Sequence, residues 1–288
     1  MFGNVLSWQF LIFVTVILFS IVTLLQRVLL KKEHSNPKAF AIFFQVLTGL
    51  IIGGFGVAVH SSALPNMGPI IWNFLLMVVL YSASSILNYT ALKNIEVSSY
   101  TIIYSLRGVF AVITSTLFLH ESLSLQQTIG AVLILISIVL TNMRGAKLHF
   151  RKHELFVLIA AFLVGVATTN DRYLLHSFAV FPYVALGFIL PGLMVAAVFP
   201  RSVKQMSVFL RPSFFKQMLL ICVVFAAAAV AYYLALQKAT NSSQVVVMSL
   251  SSVILTVLLA VIFLKERDHI LQKIAAALLT FAGLILVG

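Results

Sequence analysis

The chain has 288 residues, 61% of them hydrophobic and 9% charged. A water-soluble domain carries about 25% charged residues, so this sequence cannot clothe a soluble globule and reads as a membrane protein. Its 19 Lys and Arg against 7 Asp and Glu are spread between apolar runs rather than gathered on a motif, which argues against nucleic acid as a partner and for the lipid bilayer.

A helix needs about 20 apolar residues to cross roughly 30 Å of hydrocarbon, where backbone groups find no water. Ten stretches qualify, at about 7–30, 38–59, 70–92, 97–119, 125–142, 154–175, 180–199, 214–237, 242–264 and 270–287. The first lacks a basic leader and a small-residue cleavage site, so it reads as a retained helix rather than a secretory signal peptide. Within helix 2, Gly49 and Gly53 form a GxxxG, and Ala226 to Ala229 give helix 8 a small-residue face; both predict close helix packing. Pro191 predicts a kink in helix 7. Cys222, the single cysteine, excludes a disulfide framework and a cysteine-based zinc site.

Ten spans sort the loops into two alternating sets, and the basic residues sort with them. Sixteen Lys and Arg, from Arg27 and Lys31 through Arg151 and Lys152 to Lys265 and Lys273, fall in the odd loops, and only Arg172 and Lys238 fall in the even ones. Because short basic loops stay in the cytoplasm, the bias predicts cytoplasmic odd loops and both termini outside.

The two halves repeat. A shift of 145 residues lays Phe118, Leu119, Glu121, Gln127, Ile129, Ala131 and Leu133 on Phe263, Leu264, Glu266, Gln272, Ile274, Ala276 and Leu278, Arg27 on Arg172, and Pro37 on Pro182. Five helices per half, divided as residues 1–146 and 147–288, force the second half to enter the bilayer reversed. The expected fold class is therefore an all-α membrane protein, with ten transmembrane helices as two inverted five-helix repeats. Inverted repeats are a transporter architecture, with the site near the midplane between the halves.

One pattern occurs twice: Ala91-Leu92, Ser98-Ser99 and Phe118-Leu119-His120-Glu121, then Ala235-Leu236, Ser242-Ser243 and Phe263-Leu264-Lys265-Glu266. Over almost the whole chain the sequence resembles the EamA-type repeat of the drug/metabolite transporter superfamily. The resemblance implies a ten-helix inner-membrane carrier of small metabolites or drugs, with a cavity between the halves and both termini in the cytoplasm. It also implies a proline midway along helices 4 and 9, where this chain has Arg107 and Ser252.

Arg107 stands near mid-depth of helix 4, where an arginine costs about 2.5 kcal/mol or more to insert. It reads either as a ligand for an anionic solute, since a guanidinium grips a carboxylate bidentately, or as a permanent partner of Asp171 or of a helix carbonyl. Asp171, beside Asn170 and Arg172, is the one acid near the hydrocarbon away from a loop. It is the available carboxylate for proton coupling, or else a local partner of Arg172. Glu121 and Glu266 end helices 4 and 9, where a carboxylate opposes the helix dipole, so each is expected to cap the next helix or meet a basic neighbour. Intramembrane polar side chains prefer the bundle interior; Tyr104, Gln45, Asn88, Tyr232 and Gln244 join Arg107, Asp171 and Asn170 as candidate substrate contacts, although tyrosines near helix ends also form the ordinary interfacial belt.

Neither a P-loop, GxSxG nor HExxH occurs, and the seven histidines fall in loops or near span ends, so ATP-driven transport and intramembrane hydrolysis are disfavoured and no cofactor is expected. The reading is a secondary transporter of small organic solutes, with an anionic or zwitterionic solute such as an amino acid favoured by Arg107. A non-transporting multi-pass scaffold or receptor is the alternative. The sequence leaves the oligomeric state open and is compatible with a monomer.

Overall fold

The computed structural model describes residues 7–33, 35–119, 125–144, 147–148, 151–239, 245, 248–266 and 268–287. The first repeat contains α1 (Trp8–Leu30), α2 (Pro37–Ala58), α3 (Ile71–Asn94), α4 (Val97–Tyr104), α5 (Leu106–Leu119) and α6 (Leu125–Asn142). A two-residue antiparallel hairpin, β1 (Met143–Arg144) with β2 (Lys147–Leu148), links it to the second repeat. There α7 (Lys152–Leu175), α8 (Val180–Val198), the short α9 (Pro200–Gln205), α10 (Pro212–Lys238), α11 (Ser252–Phe263) and α12 (Ile270–Val287) follow. Seven helices among the described residues are long and apolar enough to span a membrane, and three further apolar helices, Thr128–Ser137, Met248–Phe263 and Ile270–Gly283, are shorter. The helices begin where the sequence provides for it: Asn36 accepts from the Lys38 and Ala39 amides ahead of Pro37, and Glu154 bonds back to the Arg151 amide at 2.6 Å, each satisfying amides with no intrahelical partner.

Equivalent helices of the two repeats meet antiparallel, which establishes the inversion directly. Along α2 and α8, Gly49 lies against Ala185 and Ile189, Gly56 against Phe181, and Gly192 against Gln45 and Val46, so one chain rises as its mate descends. At α6 and α12, Gly283 lies on Gly130 and Ile134, the Ser137 and Thr280 hydroxyls share a hydrogen bond at 2.7 Å, and Gln272 bonds the Leu140 carbonyl. The remaining packing is exchanged in matched pairs: α3 packs on α7 as α10 packs on α1, and α5 packs on α7 as α11 packs on α1. The GxxxG of helix 2 does its expected work at Gly49, where a Cβ would stand 2.7 Å from the Ala185 carbonyl oxygen. Helix α8 continues through Pro191, whose carbonyl accepts the Ser82 hydroxyl at 3.2 Å.

Two apolar clusters lie toward the two ends of the bundle. One gathers Leu29, Phe40, Phe44, Leu92, Val97 and Phe209 from the odd-loop side; the other gathers Leu11, Ile52, Phe74, Leu174, Phe178 and Tyr183 from the even-loop side. Contacts between segments respect the same division. Arg27 donates to the Leu92 carbonyl at 2.5 Å and Lys93 to the Ser35 carbonyl at 2.6 Å on the odd side, and Asn73 pairs with Asn170 at 2.8 Å on the even side. Outward-facing large apolar side chains, such as Phe13, Trp72 and Leu271, suit a hydrocarbon surround rather than water.

The helix expected over 97–119 is two helices. At Ser105 the hydroxyl bonds the Ile102 carbonyl at 2.6 Å and the chain makes one turn between α4 and α5. Ser251 repeats the construction before α11, with its hydroxyl 2.6 Å from the Met248 carbonyl. A serine hydroxyl competing for a backbone carbonyl loosens a helix locally, so serines mark both breaks where the resemblance implied prolines.

Candidate functional site

Between the two apolar clusters lies a cavity of about 210 Å³, larger than the roughly 150 Å³ that holds a benzene in an engineered core. Its walls come from both repeats. Phe19, Tyr89, Tyr100, Tyr104, Phe188 and Phe225 supply aromatic surface; Gln26, Gln45, Asn88, Thr101 and Arg107 supply polar groups. Both helix breaks border it, through Ser105 on one side and Leu250 and Ser252 on the other. Interrupted helices at the midplane free backbone groups toward a site, which continuous helices keep within their own hydrogen-bond ladder.

Arg107 sits two residues beyond the first break. Its guanidinium carbon lies 4.6 Å from the Tyr104 ring centroid, and Tyr104 in turn stacks on Tyr100 with centroids 5.4 Å apart. Asn88 ties both phenols: it donates to Tyr104 at 3.3 Å and accepts from Tyr100 at 3.3 Å. A cation over an aromatic face is held without being neutralised, and among the described residues no carboxylate lies within ion-pair distance of Arg107. Among the described residues it forms neither the permanent pair with Asp171 nor a bond to a helix carbonyl. Gln45 and Thr101 are further incomplete: the Gln45 Oε1 and Thr101 Oγ1 are buried at the cavity wall without a hydrogen-bond partner among the described residues. A buried acceptor left unpaired costs about 1–3 kcal/mol, a penalty that a bound solute would remove.

Four of the eight residues singled out from the sequence, Arg107, Tyr104, Gln45 and Asn88, thus share one cavity wall. Asp171, Asn170 and Tyr232 are not on it. Asn170 is occupied by Asn73. Tyr232 packs edge-on against Tyr233 and tilts against Phe19, behind the lining. Gln244 lies outside the described residues, as do Glu121, Ser242 and Ser243.

Asp171 is 2% exposed and accepts three phenolic hydroxyls: Tyr81 at 2.6 Å and Tyr233 at 2.9 Å on Oδ2, and Tyr183 at 2.5 Å on Oδ1. The local pair with Arg172 does not form. Tyr183 was not distinguished by sequence pattern alone, yet a signal existed. Asp171 is four residues from the end of α7 and Tyr183 three from the start of α8, and the four-residue connection 176–179 returns one end onto the other.

Glu266 also departs from expectation. Instead of capping the following helix, it caps the start of α4 in the opposite repeat, accepting the Val97 amide at 2.8 Å, the Ser98 amide at 3.0 Å and the Ser98 hydroxyl at 2.8 Å. Lys265 adopts a left-handed conformation, φ 56°, which ends α11 and turns the next residue across the bundle.

No curated protein sequence matches the chain. A solved structure, described only as a crystal structure of protein, is similar with a TM-score of 0.69 over 97% of this chain and 95% of that one, at 16% identity, a likeness of fold alone. The profile of the EamA-like transporter family matches twice, over residues 6–143 and 151–288. The two matches meet at the hairpin between the repeats and together cover nearly the whole chain, so the protein belongs to the EamA-like transporter family of the drug/metabolite transporter superfamily, a family of non-enzymatic secondary transporters.

Proposed function

We propose that the transported solute is a small organic anion or zwitterion, an amino acid or a related carboxylate, moved across the cell's inner membrane by alternating access between the inverted repeats. The observation that carries this reading is Arg107, a guanidinium at mid-depth on a cavity wall, held by the Tyr104 ring and without a carboxylate partner among the described residues. A cation in hydrocarbon needs a counter-charge, and an entering carboxylate supplies it in the bidentate geometry that guanidinium favours. The Gln45 Oε1, buried and unpaired on the same wall, offers an acceptor for an ammonium or hydroxyl hydrogen of that solute. The aromatic lining accommodates its apolar part.

A thermal-shift panel of benzoate, glutamate, alanine and choline with the purified protein tests the assignment. Anionic or zwitterionic members are expected to stabilise the wild type. In Arg107→Ala their affinity is expected to fall about tenfold to a hundredfold, from the roughly 1.5–3 kcal/mol of a hydrogen bond to a charged group. Equal stabilisation of both proteins would remove Arg107 from the site. Flux of the stabilising compound in vesicles, above protein-free controls, separates a carrier from a scaffold.

A further inference from the structure

Asp171 sits outside the solute cavity, but one of its three donors does not. The Tyr81 side chain lines the main cavity and also a smaller one of about 50 Å³ against Tyr183 and Tyr233, while its hydroxyl bonds Asp171. The bond crosses between the repeats, from α3 to α7. A buried carboxylate is normally compensated by a cation. This one is held by three neutral hydroxyls, and among the described residues no Lys, Arg or His stands within 4.0 Å of it. The groups facing it are Tyr81 from α3, Tyr183 from α8, and Tyr233 with the adjacent Tyr232 from α10. Arg107 lies on α5 across the cavity wall, Arg172 and Tyr173 are its neighbours on α7 itself, and His176 follows just past the end of that helix.

We propose that Asp171 is a proton-binding site, loaded from the solute cavity through Tyr81, and that its occupancy sets the strength of the Tyr81 bridge between the repeats on the even-loop side. The proposal rests on the transporter reading only for its consequence, not for the site. The ligand is a proton rather than a metal ion because all three partners present hydroxyl hydrogens to the carboxylate, whereas a metal needs oxygen lone pairs in that place. The transfer balances as a relay. Tyr81 gives its hydroxyl proton to Asp171 Oδ2 as its own oxygen takes one from a hydronium ion in the cavity, which is left as water; two O–H bonds break, two form, and the protein gains one proton. The reversed bond, Asp171 O–H to the Tyr81 oxygen, joins two neutral groups and is about half as strong as the charge-assisted bond it replaces. Loss of the negative charge beside the cavity also favours an anion at Arg107, and by linkage a bound anion favours the proton.

Infrared titration of the purified protein, without any solute, tests the site. On lowering the pH, the carbonyl stretch of a protonated carboxylic acid is expected in the wild type and not in Asp171→Asn. In Tyr81→Phe, which keeps the acid and guards against a misfolded Asn variant, the band is expected to persist at a shifted frequency. The bridge is tested in a Cys222→Ala background carrying spin labels at Leu64→Cys and Ser177→Cys, exposed even-loop positions of the two repeats. The label separation is expected to lengthen as the pH falls, and to be long and independent of pH when Asp171→Asn or Tyr81→Phe is added. Absence of an Asp171-dependent band overturns the site. A band without any change in separation, or a pH response that survives Asp171→Asn, overturns the coupling. A protein that shows both but moves no solute leaves the proton site standing and refutes the transport reading instead.

Discussion

Glu266 and Ser98 stand 168 residues apart in sequence and in opposite repeats, and the carboxylate of one accepts both the amide and the hydroxyl of the other. A helix N-terminus is a natural seat for a carboxylate, because its first amides lack partners and carry the positive end of the dipole. The twice-occurring pairing of Ser-Ser with Phe-Leu-x-Glu thereby acquires a physical meaning: in the copy the structure describes, the Glu of one repeat caps helix 4 of the other. Lys273 on Glu96 at 2.8 Å adds a second tie at the same end.

Glu266→Ala is expected to lower stability by about 1 kcal/mol, the usual cost of a lost cap, because the Val97 and Ser98 amides lose their shared acceptor. Glu266→Gln, which keeps one acceptor oxygen but not the charge, should fall between. Thermal unfolding in detergent gives the ranking, and an Ala variant as stable as the wild type would show that the cap carries no energy.

How far the sequence reveals this arrangement depends on the range of each interaction. Span positions follow from local composition, since an apolar run of membrane length has few other uses; the expected 7–30 and 38–59 became Trp8–Leu30 and Pro37–Ala58. Arg107 was legible because its insertion cost demands a reason. The break at Ser105 was not, since serine is only a mild helix breaker and its choice of the Ile102 carbonyl is a tertiary outcome. Nor could Glu266 be assigned to Val97 and Ser98 before the inverted packing of the repeats brought them together. The tyrosines around Asp171 were ambiguous for another reason: near a helix end, a belt tyrosine and a buried hydrogen-bond donor have the same sequence.

Gly165 fixes the height of Arg107. A Cβ there would lie 2.5 Å from the Phe110 Cβ, 2.9 Å from the Arg107 carbonyl oxygen and 3.0 Å from the Ala111 amide nitrogen, so α5 and α7 must separate at the turn that bears the guanidinium. Gly165→Ala is expected to cost about 1–3 kcal/mol, as overpacking usually does, and to weaken binding of the anionic ligand with it. Gly54→Ala is the control, since nothing lies within 4 Å of its added methyl; the two thermal transitions and ligand shifts should diverge, and indistinguishable variants would contradict the packing.

The matched turns at Ser105 and Ser251 are the places where helices bordering the cavity can change direction. Removing the 2.6-Å bonds to Ile102 and Met248 by Ser→Ala at either position leaves those carbonyls to the regular helical ladder, so the broken helices should straighten and resist bending. Solute flux is expected to slow several-fold in each single variant and further in the double, while ligand affinity in the thermal shift changes little. Unaltered flux in the double variant would mean that these turns are static.

We propose that loop charge sets the orientation in the membrane. Three of the odd-loop lysines meet neutral groups rather than carboxylates: Lys93 bonds the Ser35 carbonyl and Lys32 the Gln217 amide oxygen, and Lys32 and Lys38 lie over the Phe214 and Phe199 rings. Sixteen odd-loop Lys and Arg against two in the even loops is a bias that insertion machinery reads as cytoplasmic, and on this proposal both termini lie outside, opposite to the arrangement that the sequence's likeness to EamA-type carriers implies. A C-terminal phosphatase that matures only outside the cytoplasm is expected to be active, and a fluorescent protein that matures only inside it to be dark. Replacing Arg151, Lys152, Arg201 and Lys204 by glutamine should erode that preference, because it halves the charge of two odd loops. A bright cytoplasmic reporter on the unmodified chain would show that some signal other than loop charge orients this protein.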